Sequence, residues 1–100
     1  MYDMYKLKLF VCGTTGKTEE SIARLKVLLW DNLAGNYSLE IVDILDNLKL
    51  AETERILATP TLIKQTPPPI RRIVGDMTDT EKVLLGLDVK PYSLFNNSAG

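Results

Sequence analysis

Apolar and polar residues recur along the chain with two different periods, and these periods predict an ordered series of strands and helices. Residues 6–12 alternate with a period of two, which is typical of a strand with one apolar face. Residues 18–34 predict a helix capped by Thr18, because apolar residues recur there at helical spacing and form one buried stripe: Ile22, Leu25, Leu28, Leu29 and Leu33. Trp30 flanks this stripe, and Gly35 supplies the stop.

The second half of the chain predicts shorter elements: a strand, a short helix, two strands and a last helix, at residues 39–44, 48–55, 61–66, 70–74 and about 78–87. Thr78 and Glu81 have the spacing of a capping box, which opens the last helix.

The predicted element order is βαβαββα. The first two strands are expected to be parallel through a right-handed crossover, and the last two form an antiparallel hairpin. This is a thioredoxin-like α/β arrangement with a mixed sheet. In that fold a Thr-Pro before the third strand is commonly cis and faces the loop after the first strand, and Thr59-Pro60 occupies this place.

Four of the five prolines lie in one segment, residues 57–75. Pro67, Pro68 and Pro69 separate the third and fourth strands, because proline has no N–H for a paired ladder. Every X–Pro bond can also be cis at modest cost. Together with Pro60, these residues are therefore candidates for a rigid corner or for a conformational switch.

Composition indicates a single domain at residues 1–90, with a flexible tail at 91–100. The net charge of −1 argues against nucleic-acid binding, and no apolar run reaches the length of a membrane span. The chain has one cysteine and no histidine, which removes the commonest general base and the commonest metal ligand. We therefore expect a cytoplasmic, disulfide-free domain without metal or cofactor. The same features argue against an enzyme without excluding one.

Three groups of residues near the first loop have a possible chemical interpretation. Residues 13–18 contain Gly-Lys-Thr, but the phosphate-loop motif requires a glycine at Val11. Cys12 lies where a thioredoxin-like fold would carry a pair of thiols, and the resolving cysteine is missing. A set of carboxylates is read as solvated surface, namely Asp43, Asp46, Glu52 and Glu54.

Basic residues in the predicted strands are the better candidates for a binding site. The strands of one sheet supply Lys8, Lys64, Arg71 and Arg72, which could share a surface. That surface is either a solvated face of the sheet or a site that recognises an acidic protein. The adjacent prolines favour an interface, because a stiff, exposed segment loses little entropy on binding.

Three blocks of sequence resemble the KaiB family of the bacterial circadian clock: residues 57–62, 67–76 and 81–88. Residues 5–11 and 39–46 resemble the first two strands of that family. The resemblance implies a regulator without catalysis that binds a KaiC-type hexameric ATPase and captures KaiA or displaces a SasA-type kinase. Glu54 and Arg55 are weaker candidates for contacts in such a role.

The family resemblance also implies two folds. One is the thioredoxin-like monomer, and the other is a tetramer of order βαββααβ, so self-association to a dimer or tetramer is expected. Gly86 and Asp88 match the family motif at which the two folds diverge, and they join the four prolines as candidate switch residues. Two alternatives stay open: a thiol oxidoreductase or glutathione-binding domain that uses Cys12, and a paralogue that serves a stress response.

Overall fold

The computed structural model describes residues 4–13 and 15–88, and it has the predicted order of elements. The four strands are Tyr5–Val11 (β1), Tyr37–Asp43 (β2), Thr61–Thr66 (β3) and Arg71–Val74 (β4), and the three helices are Gly16–Leu33 (α1), Leu48–Thr53 (α2) and Thr80–Gly86 (α3). The predicted tail, residues 91–100, lies outside the described residues.

The strands form one mixed sheet in the order β2-β1-β3-β4. β1 is parallel to β2 and antiparallel to β3, and β3 is antiparallel to β4. β2 begins at Tyr37, two residues earlier than predicted, because Tyr37 is already paired with Tyr5 of β1. Local alternation did not reveal this extension, since it depends on the neighbouring strand.

The larger core lies between the sheet and the two helices α1 and α3. Leu9 of β1 and Leu62 of β3 pack there against Leu29 of α1 and Leu87 beyond α3, and each of these four is 3% exposed or less. Burying a leucine side chain contributes roughly 1.5–3 kcal/mol. This core therefore fixes both helices on one face of the sheet.

A smaller core lies on the opposite face, under α2. It contains Phe10, Val42 and Ile63, with Leu50 of α2 partly buried against them. The sheet thus has helices on both faces, and the face under α2 carries the smaller of the two cores.

Helix α1 begins at Gly16, two residues before the predicted cap at Thr18. Thr15 is the cap, since its Oγ1 accepts a hydrogen bond from the backbone N–H of Thr18 at 3.2 Å. Trp30 is 63% exposed, and its ring lies over Gly35, where a Cβ would come within 2.7 Å of it. Gly35 also has φ +78°, so both its conformation and its lack of a side chain are required at this helix stop.

Helix α3 is capped by Asp79 instead of the predicted Thr78. The Asp79 carboxylate accepts from the backbone N–H of Lys82 at 3.2 Å. Thr78 does not cap, because its hydroxyl donates to Asp76 in the preceding turn at 3.1 Å.

Candidate partner-binding surface

The strand register separates the four predicted basic residues onto two faces of the sheet. Lys8 and Arg72 lie on the α2 face, since both are cross-strand neighbours of Ile63. Lys64 and Arg71 are paired with each other and lie on the face of α1 and α3. The expectation of one shared surface is therefore wrong, because adjacent residues of a strand point to opposite faces.

On the α2 face, the basic side chains have partners within the chain. The Arg72 guanidinium donates to the carbonyl of Glu54 at 3.0 Å and to the carbonyl of Arg55 at 3.3 Å. The Lys8 ammonium lies 3.8 Å from the Glu40 carboxylate. Arg55 has φ +55°, which ends the helical segment before the predicted boundary. Arg72 thus ties β4 to the end of α2 and brings three of the candidate residues together.

On the opposite face, Lys64 is buried and Arg71 is exposed. Lys64 is 1% exposed, and its ammonium lies 5.9 Å from the centre of the Tyr5 ring. Burial lowers the pKa of Lys64, Asp88 opposes this effect, and Arg71 adds to it. Lys64 is therefore not available as a direct contact in this form, whereas Arg71 is.

Exposed apolar side chains lie beside the arginines, and sequence analysis assigned them no role. Ile70 is 69% exposed and Val74 is 56% exposed, and Leu57 in the preceding loop is 95% exposed. Exposed apolar side chains beside charged ones are consistent with an interaction site. We call the set Ile70, Arg71, Arg72 and Val74 the β4 surface; Arg71 lies on one face of the strand, and Arg72 and Val74 lie on the other. This surface lies at the edge of the sheet because β4 is the last strand in the sheet order. The strand order is not visible in the sequence.

The proline segment contains three cis peptide bonds. They precede Pro60, Pro67 and Pro69, so the expected cis bond at Thr59-Pro60 is present. Pro68 and Pro69 are exposed at the turn between β3 and β4.

Gly86 and Asp88 occupy restrictive positions at the end of α3. A Cβ on Gly86 would lie 2.9 Å from two side-chain atoms of Ile73, so α3 approaches β4 closely at this point. Asp88 has φ +55°, a left-handed conformation that aspartate adopts more readily than most residues. Both residues therefore fit the packing and the stop of α3.

A cleft of about 630 Å³ lies at the carboxyl end of β1. Its lining includes Cys12, Pro60, Met77 and the first turn of α1. Cys12 is exposed and is the chain's one cysteine, so no disulfide can form within the chain. The arrangement offers a single thiol, and it lacks the second thiol that two-thiol exchange requires.

Asp43 has a structural role that sequence analysis missed. Its Oδ1 accepts from the backbone N–H groups of Gly13 and Leu45, each at 3.0 Å. The interpretation of Asp43 as solvated surface is therefore wrong, because the carboxylate holds the loop after β1. The sequence does contain one signal of this role, since an acidic residue is unusual at the end of a strand.

The structure gives two negative findings. Among residues 4–13 and 15–88, no group of three or more His, Cys, Asp or Glu side chains is placed to hold a metal ion. Within the same ranges, no helix combines the length and the apolar character needed to cross a bilayer.

The mixed four-stranded sheet and the cis proline before β3 define a thioredoxin-like domain that carries one thiol. The chain superimposes on chloroplastic thioredoxin z with a TM-score of 0.67 at 17% identity, covering 98% of this chain and 81% of that one. It is similar to the N-terminal domain of Synechococcus elongatus SasA with a TM-score of 0.72 at 26% identity, covering 88% and 87%. The predicted fold class is confirmed.

Sequence comparison gives the family. The KaiB domain model matches residues 8–89. The circadian clock protein KaiB3 of Synechocystis is 47% identical over 88 residues, which are 88% of this chain and 86% of the relative. The circadian clock oscillator protein KaiB of Rippkaea orientalis is 51% identical over 85 residues, or 85% and 82%. The chain belongs to the KaiB family of circadian clock proteins, and the predicted family is confirmed.

Proposed function

We propose that this chain is a non-catalytic clock regulator that binds a KaiC-type hexameric ATPase and modulates its phosphorylation cycle. The observation that carries the proposal is the combination of two similarities. About half of the aligned residues are identical to those of KaiB proteins, and the chain shares a fold with the N-terminal domain of SasA. A similar fold supports competition for one site, so a SasA-type kinase is displaced when this chain binds. KaiA is the second partner to be captured.

The β4 surface is the proposed contact with the ATPase. Arg71 is exposed, and among residues 4–13 and 15–88 its side chain has no hydrogen-bond or ion-pair partner. Arginine is suited to bidentate pairing with carboxylates, so Arg71 is expected to meet an acidic group of the partner. The neighbouring loop is shaped by Arg72, Arg55 and Glu54. Positive charge is added by Lys8 on the α2 face and by Lys64 on the opposite face.

We also propose that the chain exchanges with the second KaiB fold, the βαββααβ tetramer. The segment that would change contains Pro60, Pro67, Pro68 and Pro69, and Gly86 and Asp88 lie at its far end. The close packing of Gly86 on Ile73 supports this assignment, because a contact between α3 and β4 exists only while both elements have their present form. Sedimentation of the chain alone tests the exchange, and a single monomer species at every concentration would contradict it.

Size-exclusion chromatography tests the binding proposal directly. The chain is incubated for hours with a KaiC-type hexamer and ATP, and it is expected to co-elute with the hexamer. The long incubation allows for a slow conformational step before binding. Absence of co-elution would count decisively against the proposed function.

Matched charge reversals locate the contact. Arg71→Glu is expected to abolish co-elution, because it changes the exposed charge of the β4 surface. Lys26→Glu makes the same change on the exposed side of α1 and is expected to co-elute like the wild type. Equal behaviour of the two variants would remove the β4 surface from the proposal.

One observation favours a second candidate function, a thiol oxidoreductase or glutathione-binding domain. Cys12 is exposed, and it lines the same cleft as Pro60 within a thioredoxin-like fold. A disulfide-reduction assay with the wild type and Cys12→Ser separates the two candidates. Turnover that disappears in Cys12→Ser would overturn the non-catalytic proposal, and the absence of turnover in the wild type would exclude this alternative.

A further inference from the structure

The outer edge of the sheet at β4 presents backbone groups that no strand of the described residues flanks. β4 is the last strand in the order β2-β1-β3-β4, and within this sheet it is paired on one side, with β3. Among residues 4–13 and 15–88, no other strand lies along its outer side. Such an edge is a template for the addition of another extended segment.

The register identifies which backbone groups point outward. Gly75 N–H donates to the carbonyl of Pro60 at 2.9 Å, which makes these two residues a hydrogen-bonded pair. Antiparallel ladders alternate between hydrogen-bonded and non-hydrogen-bonded pairs. The partners Thr61↔Val74 and Ile63↔Arg72 are therefore non-hydrogen-bonded pairs. The N–H and C=O groups of Arg72 and Val74 must point away from β3, toward the open edge.

The side chains around this edge favour an acidic occupant. Arg71 and Arg72 lie on opposite faces of β4, so an incoming strand meets a positive charge on either side. The Val74 side chain, 56% exposed, lies on the same face as Arg72, and Ile70, 69% exposed, precedes the strand. Both offer apolar contact. Pro68 and Pro69 precede this stretch, and their lack of N–H groups limits the edge at its amino end.

A second copy of this chain fits the edge poorly. A symmetric antiparallel pairing of two β4 strands centred on Arg72 would place Arg72 opposite the same arginine of the other copy. Like charges directly opposite each other destabilise a pair of strands. The charge of the edge therefore selects a partner segment with acidic side chains over self-association.

We propose that the outer edge of β4 is a docking site for an extended, acidic segment of a partner protein, which adds to the sheet as a fifth strand. Backbone hydrogen bonds to Arg72 and Val74 supply affinity, and the two arginines supply selectivity for acidic side chains. This inference rests on the proposed function in one respect, because the partner that carries the segment is the one proposed above. It is tested without the ATPase.

The probe is an acetylated and amidated seven-residue peptide in which Glu and Val alternate, and the control peptide has Lys in place of Glu. Amide hydrogen exchange of the full chain is followed by NMR. The acidic peptide is expected to slow exchange at Arg72 and Val74, while Arg71 and Ile73, already bonded to β3, change little. The basic peptide is expected to have no effect. Unchanged exchange at Arg72 and Val74 with saturating acidic peptide would overturn the proposal.

A proline variant tests the backbone contact independently. Val74→Pro removes an outward N–H that the fold does not use, and proline is tolerated on edge strands. It is expected to weaken binding of the acidic peptide by about tenfold, the effect of losing a backbone hydrogen bond. Val74→Thr keeps the N–H and the branched shape, and it is expected to bind the acidic peptide more tightly than Val74→Pro does. Equal binding by Val74→Pro and Val74→Thr, with both folded, would overturn the proposal.

Two further outcomes distinguish the alternatives. Slow exchange at Arg72 and Val74 that appears without peptide and grows with protein concentration would show that a second copy occupies the edge, and it would overturn the proposal. Failure of the wild type to co-elute with the ATPase, together with specific binding of the acidic peptide, would overturn the proposed function and support the docking site.

Discussion

The two arginines of β4 are adjacent in sequence, and the structure predicts that only one of them stabilises the fold. Arg72 donates to the carbonyls of Glu54 and Arg55 at 3.0 and 3.3 Å, which connects β4 to the end of α2. Arg71 is exposed on the other face of the strand, where its cross-strand neighbour is the buried Lys64. Alanine substitution at each position compares the two roles within one strand.

Arg72→Ala is expected to lower the free energy of unfolding by about 1–2 kcal/mol. The side chain is exposed, so each hydrogen bond is taken at about 0.5–1 kcal/mol, near the lower end of the range for proteins. Urea slopes for small domains are about 1–3 kcal/mol per molar. The midpoint of urea unfolding, followed by circular dichroism, is therefore expected to fall by roughly 0.5–1 M.

Arg71→Ala is the matched control, and its stability is expected to lie within about 0.5 kcal/mol of the wild type, as for most surface substitutions. Arg72→Lys keeps the charge but loses the planar fork that reaches two carbonyls, so its midpoint is expected to lie between those of the wild type and Arg72→Ala. An Arg72→Ala midpoint equal to that of the wild type would refute the reasoning. A loss of stability in Arg71→Ala as large as that in Arg72→Ala would refute it equally.

Three other predictions concern the buried Lys64, the loop held by Asp43 and the larger core. Because the folded pKa of Lys64 is lowered from 10.5, the unfolded state binds more protons between that lowered pKa and 10.5, so stability is expected to rise with pH in this window. Lys64→Met should be more stable than the wild type at neutral pH and should lack this rise in urea titrations at several pH values. Asp43→Ala leaves two loop N–H groups without their acceptor and is expected to cost about 2 kcal/mol, whereas Asp43→Asn keeps an acceptor oxygen and should cost less. Leu29→Ala creates a cavity in the larger core and is expected to cost about 3–5 kcal/mol by thermal unfolding, while Val27→Ala on the exposed side of the same helix should change stability by less than about 0.5 kcal/mol.

Each of these three predictions has a contrary result. A flat pH dependence in both the wild type and Lys64→Met would show that the ammonium is well solvated. Equal stability of Asp43→Ala and the wild type would show that water replaces the carboxylate. Equal losses in Leu29→Ala and Val27→Ala would contradict the placement of α1 on the sheet.

The sequence by itself determined the elements and their order. The period-two alternation of β1 and the helical stripe around Leu29 are local properties, because each follows from the geometry of one segment. The three prolines likewise determined where β3 ends and β4 begins, because proline cannot donate a hydrogen bond to a strand ladder. Three blocks of residues were also enough to place the chain in its family.

Tertiary structure decided which residues act together. The separation of Lys8 and Arg72 from Lys64 and Arg71 follows from the strand register, and a shift of one residue would reverse it. The carbonyl contacts of Arg72 and the contact of Asp43 with Gly13 join residues 17 to 30 positions apart. The open edge at β4 exists only because β3 lies between it and β1. Local patterns could not reveal these features, because each depends on which segments become neighbours when the chain folds.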